Sequence, residues 1–212
     1  MTVHVPDGFL SPSVTLPAWA VAAPVWVHAA RKHFGRSAVE ALPEMGTLTA
    51  LAFVVQTLMV PVPGGTSTHL SGMALLAILR GPLAAFACES LVLLVQATFL
   101  GAGGLTVLGV NALALGLLGP AAGWLAFRAL RRLGDRPAAF AAGWLALQAS
   151  SLGVALVLWL QHALAPGYLP VPPEVSFAAV MIPSLTVAGA LEGAYTVFAL
   201  SLLRKVSPGA SP

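Results

Sequence analysis

The chain has one cysteine in 212 residues, and only 8% of its positions are charged, against about a quarter in ordinary soluble domains. Cys88 lies inside the apolar run L-A-A-F-A-C-E-S-L-V, so no internal disulfide and no thiolate cluster for zinc can be built. The pattern G-x-x-x-x-G-K-[ST] is missing, which excludes use of ATP through a P-loop. H-E-x-x-H is missing too, and neither Glu89 nor Glu192 has a histidine at ligand spacing, which argues against an intramembrane metallo-enzyme. Only ten Lys and Arg occur, in short scattered clusters. They report topology rather than a nucleic-acid surface. No basic segment precedes the start, and Pro6, Asp7, Gly8 and Pro12 interrupt any early apolar core. The amino end is therefore expected to be kept, apart from trimming by a residue or two.

Apolar residues make up 58% of the chain and the mean hydropathy is +0.90. The fold class is an all-α integral membrane protein, multi-pass in the cell membrane and bounded by the lipid bilayer. About seven transmembrane helices are expected: 14–33, 43–60, a short piece at 69–79, 82–100, 105–130 with a break near Gly119 and Pro120, 137–164, and 175–203 with Pro183 inside. Residues 1–13 form a leading loop, 14–206 the helical bundle and 207–212 a tail, with no soluble domain. The piece at 69–79 reaches only about 16 Å, roughly half the hydrocarbon thickness. The Gly-rich loop before it, P-G-G-T-S-T, has to cover the rest, and irregular backbone survives at that depth only inside protein or along a cavity. With the amino end outside and the carboxyl end cytoplasmic, all ten Lys and Arg fall at cytoplasmic ends. His4 and His69 then share the outer side.

A free amine followed closely by histidine can wrap a divalent ion in nitrogens: the amine, deprotonated backbone amides and imidazole Nδ1. Fused chelate rings of this kind impose a planar arrangement, which suits Ni(II) or Cu(II). Three starts give different sites. With Met1 retained, His4 is the fourth residue and ring closure is awkward. With Thr2 first, T-V-H completes a square without His69. With Val3 first, the Val3 amine, the His4 amide and His4 Nδ1 fill three corners, and His69 supplies the fourth. In each case the metal displaces protons, so binding weakens as pH falls.

These same residues resemble the CbiM/NikM cobalt and nickel permeases, the substrate-capture components of energy-coupling-factor transporters. V-H-V-P-D-G-F-L-S-P, Val3 to Pro12, is similar to that family's opening M-H-I-P-D-G-F-L-S-P. Pro63 to Leu70 is similar to its P-G-G-T-S-G-H-L, with Thr68 in place of a glycine. The likeness continues through L-R-G-P at Leu79 to Pro82, through L-V-Q-A-T-F-L-G-A-G-G-L-T-V-L-G-V-N ending at Asn111, and more weakly through G-A-L-E-G-A around Glu192. The chain departs from the pattern by carrying Met1 and Thr2 ahead of Val3. The resemblance implies capture of Ni(II) or Co(II) as substrate by the terminal amine, the amide and Nδ1 of His4, and His69. It also implies a transmembrane coupling protein, ATP-hydrolysing subunits and in some cases a small accessory membrane protein as partners. No catalysis by this chain and no nucleic-acid partner is expected.

Gln56, Gln96 and Asn111 each lie about 8 Å inside the outer end of a helix. They form a candidate polar collar that orients the imidazole or the terminal loop, or else join helices by hydrogen bonds. Asp7, between Pro6 and Gly8, is a turn residue that folds the terminus inward or balances the metal's charge. Ser67 lies in the motif before His69 and is a candidate for the same supporting shell. Glu89 and Glu192 fall near mid-membrane, where ionised carboxylates are costly. They are expected to be structural; if they titrated, the chain would instead be a self-sufficient ion-coupled permease.

Overall fold

The computed structural model describes residues 4–34, 40, 42–57, 59–62, 66–169 and 171–206, with side chains left aside at 59–62, 66–68 and 206. Among these, seven helices and one β-hairpin come in order: α1 Pro12–His33, α2 Leu42–Thr57, β1 Met59–Val62, β2 Thr66–His69, α3 Met73–Arg80, α4 Pro82–Leu100, α5 Leu108–Leu133, α6 Asp135–Leu164 and α7 Pro173–Lys205. The last turn of α4, Gln96–Leu100, widens into a π-helix, as does α5 over Ala112–Leu118. By length and composition, α1, α4, α5, α6 and α7 can each cross a membrane. The chain is a multi-pass membrane protein.

The hairpin is where the architecture departs from the sequence expectation. The second helix is predicted to run to Val60 but is replaced from Met59 by a strand, and Thr66–His69, at the end of the Gly-rich motif, form a second strand. Met59 pairs antiparallel with His69, Val60 with Thr68, Pro61 with Ser67 and Val62 with Thr66. His69 is therefore the end of a strand, not the start of a helix, and α3 begins only at Met73 with eight residues. The physical reason is satisfaction of the backbone. Pairing the two arms supplies partners to N–H and C=O groups that would otherwise be orphaned inside a bundle.

The membrane-crossing helices enclose this short element. Met73, Ala74, Leu75 and Ile78 of α3 are buried against Phe127 of α5, Ala142 and Ala146 of α6 and Leu200 of α7. The opposite face of α3, through Leu76 and Ala77, packs on Met45, Leu48 and Ala52 of α2 and on Ala84, Ala85 and Cys88 of α4. Helix α1 lies at the periphery, with most of its surface open to the surrounding lipid. Two indole N–H groups tie it in: Trp19 Nε1 donates to Thr106 O at 2.9 Å and Trp26 Nε1 to Ser90 Oγ at 2.7 Å. An α1 face of this kind suits a helix that is apolar all round and half solvated by hydrocarbon.

Helices α6 and α7 approach each other closely. A Cβ added at Gly143 would fall 2.6 Å from the Glu192 carbonyl oxygen, so glycine is needed there for two backbones to meet, as small residues commonly allow between membrane helices. Helix α7 is itself interrupted: Pro173–Pro183 gives way to a π-helical turn at Ser184–Ala188 before Gly189–Val206 resumes. Gln148 of α6 braces the break, donating from Nε2 to Ser184 O at 2.6 Å and accepting from Ser184 Oγ at 3.2 Å. At the bundle end away from the hairpin, Arg80 pairs with Glu44 and Arg204 with Asp135. Gly143→Leu is expected to force α6 and α7 apart at a cost of about 1–3 kcal/mol, read as a lower midpoint of thermal unfolding in detergent.

Candidate metal centre

Residues 4–11 do not trail into solvent but fold back over the hairpin end of the bundle. Val5 and Leu10 are buried with Val14, Val107, Val110, Val154 and Leu158. Three polar anchors hold the segment. Asn111 of α5 makes a double hydrogen bond to Val5, with Val5 N donating to Oδ1 at 3.0 Å and Nδ2 donating to Val5 O at 3.0 Å, which imitates one rung of a β-ladder. Asp7 accepts from the Leu105 and Thr106 amides at 3.0 and 2.9 Å and from the Thr106 hydroxyl. Ser11 donates through both its amide and its hydroxyl to Gln161 Oε1 of α6, at 2.7 and 2.8 Å. Any Cβ at Gly104 would collide with the Asp7 carboxylate, so the glycine makes room for the turn's carboxylate.

These anchors deliver His4 to His69. The two ring centroids lie 4.8 Å apart, with the planes inclined at 51°. Both side chains are buried, 5% and 8% exposed respectively. His69 Nδ1 lies 3.3 Å from Leu70 O. A carbonyl oxygen can only accept, so Nδ1 donates and the lone pair remains on Nε2. Nε2 of His69 and Nε2 of His4 are both buried with no hydrogen-bond partner among the described residues, and buried imidazole nitrogens normally have one. Burial, reinforced by the facing His69, pushes His4 down to about 3. Burial also lowers His69, partly opposed by its bond to Leu70. Both rings are therefore neutral near pH 7 and able to offer nitrogen lone pairs to a cation without first losing a proton.

The base of the hairpin is held from three helices. Gln56 of α2 donates from Nε2 to Ser71 O at 3.1 Å and to Glu89 Oε2 at 2.8 Å, and its Oε1 accepts from Gln96 Nε2 at 3.1 Å. Glu192 of α7 accepts from Ser71 N at 2.8 Å, from Ser71 Oγ at 2.7 Å and from Gly72 N at 2.9 Å. Gln56, Gln96, Asn111, Glu89 and Glu192 are all buried.

The residues marked from the sequence thus fall into distinct groups. His4 and His69 meet. Asn111 and Asp7 hold the terminal loop rather than a ring. Gln56 and Gln96 bond each other, Ser71 and Glu89, and neither makes a hydrogen bond to an imidazole among the described residues. The backbone of Ser67 lies in β2 opposite Pro61, but its side chain lies outside the described residues, as does Val3 and with it the expected terminal amine. Among the described residues no cluster of three or more His, Cys, Asp or Glu is formed. Sequence reasoning does not reach Gln161 or Ser71. Gln161 carries the same signal as Gln56 and Gln96, an amide near the end of an apolar helix, whereas a serine after a histidine carries almost none.

Residues 4–210 match the CbiM family, described as the cobalt uptake substrate-specific transmembrane region. The fused nickel transport protein NikMN of Rhodobacter capsulatus is 33% identical over 97% of this chain and 63% of its own length. The cobalt transport protein CbiM of Geobacter sulfurreducens is 35% identical over 97% of this chain and 60% of its own. The chain therefore spans under two thirds of the length of these two relatives. A crystal structure of a truncated transition metal transporter superposes with a TM-score of 0.87 at 33% identity, covering 96% of this chain and 99% of that one.

Asn111→Leu removes the partners of both backbone groups of buried Val5 and leaves each group with an unmet desolvation cost of about 1–3 kcal/mol. The expected result is at least tenfold faster hydrogen exchange at the Val5 amide, measured by mass spectrometry on the amino-terminal peptide.

Proposed function

The chain belongs to the CbiM family, cobalt uptake substrate-specific transmembrane regions, and from that premise we propose that it captures Ni(II) or Co(II) as the substrate of an ATP-driven transporter. The observation that carries this reading is the pair of buried imidazoles 4.8 Å apart, with His69 Nε2 left without a partner among the described residues. Two imidazoles are too few for tight binding of a transition ion. The reading therefore adds the amine of the mature terminus, Val3 in the version that uses His69, together with the His4 amide and His4 Nδ1. His69 Nε2 completes a plane of four nitrogens, an arrangement that suits nickel.

Asp7, Asn111, Gln56, Gln96 and Ser67 act as the supporting shell that fixes the loop and hairpin around the ion. The chain itself hydrolyses nothing. A transmembrane coupling protein and ATPase subunits, with or without a small accessory membrane protein, supply the energy. The ion-coupled alternative gains no support from Glu192, whose two oxygens are committed to three donors.

Two experiments test the reading. His69→Ala should abolish high-affinity Ni(II) binding in isothermal titration while the protein remains folded, and a peptide tag fused to the terminal amine should do the same. Retained tight binding in either case overturns the planar site. The pH dependence then identifies the ligands. Because burial lowers both imidazoles from their ordinary range, they compete for protons less than free histidines do. An amine with an ordinary pKa of about 7.7–8.0 and one amide must each lose a proton, so below the amine's pKa the affinity should fall by about two decades per pH unit. A flat profile from pH 8 to pH 6 would mean that imidazoles alone hold the ion.

A further inference from the structure

Glu192 and His69 lie on opposite sides of a single peptide plane. The plane is the Leu70–Ser71 bond: its oxygen, Leu70 O, faces His69 Nδ1 at 3.3 Å, and its N–H, on Ser71, donates to Glu192 Oε2 at 2.8 Å. A peptide unit is rigid, with its N–H and C=O pointing in opposite directions. Whatever fixes the direction of the N–H therefore fixes the direction of the oxygen. The remaining Glu192 oxygen accepts from Ser71 Oγ at 2.7 Å and from Gly72 N at 2.9 Å, so the carboxylate locks the plane's rotation as well as its position. Glu192 is 1% exposed and is carried by the Gly189–Val206 half of α7.

From this chain of contacts we propose that Glu192 is a positioning residue for metal capture, acting on His69 through the Leu70–Ser71 peptide. It corresponds to the carboxylate that commonly holds a metal-ligating histidine, with one peptide unit inserted between carboxylate and ring. The effect is twofold. Geometrically, the fixed Leu70 oxygen holds Nδ1–H and leaves Nε2 as the free lone pair of a ring 4.8 Å from that of His4. Electronically, a carboxylate hydrogen-bonded to the N–H polarises the peptide and makes its oxygen a stronger acceptor, which increases electron density on the imidazole. Gln56 adds to the hold from the other side by donating to Ser71 O at 3.1 Å, but it bonds the next peptide and does not set the Leu70 oxygen.

The inference rests on the metal-capture reading, and the test separates the two. Purified full-length protein is titrated with Ni(II), with the visible absorption of the bound ion and the thermal midpoint recorded for wild type, His69→Ala, Glu192→Gln and Ser71→Ala. Glu192→Gln keeps shape but cannot accept with both terminal atoms. It is expected to weaken Ni(II) binding at least tenfold, within the 10–100-fold range of such supporting partners, and to shift the absorption of the bound ion. Ser71→Ala leaves the carboxylate and both backbone donors in place and removes the hydroxyl, with its bond to Glu192 and the longer one it accepts from Met73 N at 3.3 Å. It serves where Glu192→Gln folds poorly, and is expected to weaken binding several-fold. A lowered thermal midpoint in Glu192→Gln with unchanged affinity and spectrum makes the residue purely structural and overturns the proposal, as does unchanged affinity in Ser71→Ala. If His69→Ala retains tight binding, the metal-capture reading itself fails; if His69→Ala loses it while Glu192→Gln does not, only the positioning role fails.

Discussion

The structure depends on one constraint: backbone that is not helical has been placed inside a helical membrane bundle, and every one of its polar groups needs a partner there. Hydrocarbon offers none, and an unmet N–H or C=O at that depth costs several kcal/mol. The chain solves this in three ways that reinforce one another. The hairpin arms pair with each other, from Met59 with His69 to Val62 with Thr66. Asn111 lends its side-chain amide to Val5 as a substitute strand. Glu192 and Gln56 take up the N–H and C=O groups of the Ser71 and Gly72 turn. Irregular backbone permits what a continuous helix does not, which is to bring residues 4 and 69 ring to ring with two nitrogens left bare.

Part of this is legible in the sequence. The segment before Arg80 is too short to cross a bilayer, and its Gly-rich prelude has to be sheltered by protein, so length and composition alone locate the site. The two histidine motifs and the alternation of apolar runs with basic ends give the order of the helices. The hairpin is not legible, because M-V-P-V continues the apolar composition of α2 and a run of that length reads equally as helix or strand. Pro61 ends a helix and is also tolerated in an edge strand, so it marks a break in α2 without distinguishing a loop from a strand beyond it. The anchoring partners are harder still. Asn111, Gln161 and Glu192 each bond residues more than a hundred positions away, and such pairings depend on how the helices pack rather than on any local pattern.

The two mid-membrane acids show why burial alone does not assign a role. Both are almost wholly buried, and by composition they are equivalent. Their surroundings are not. Glu89 accepts one hydrogen bond from Gln56 and has its other oxygen without a partner among the described residues. Glu192 has both oxygens engaged by three donors, two of them backbone amides ahead of α3. Those bonds fix the second acid in place where the first is held by a single contact. Its backbone lies against Gly143, where α6 comes close enough that no larger residue fits, and its half of α7 ends at the Arg204 and Asp135 ion pair. A continuous line of contacts thus runs from the charged end of the bundle, through the second half of α7 and one peptide plane, to the imidazole of His69. The break at Ser184–Ala188 separates that line from the first half of the same helix, so the part of α7 that grips the hairpin is continuous with the charged end and not with the residues before the break.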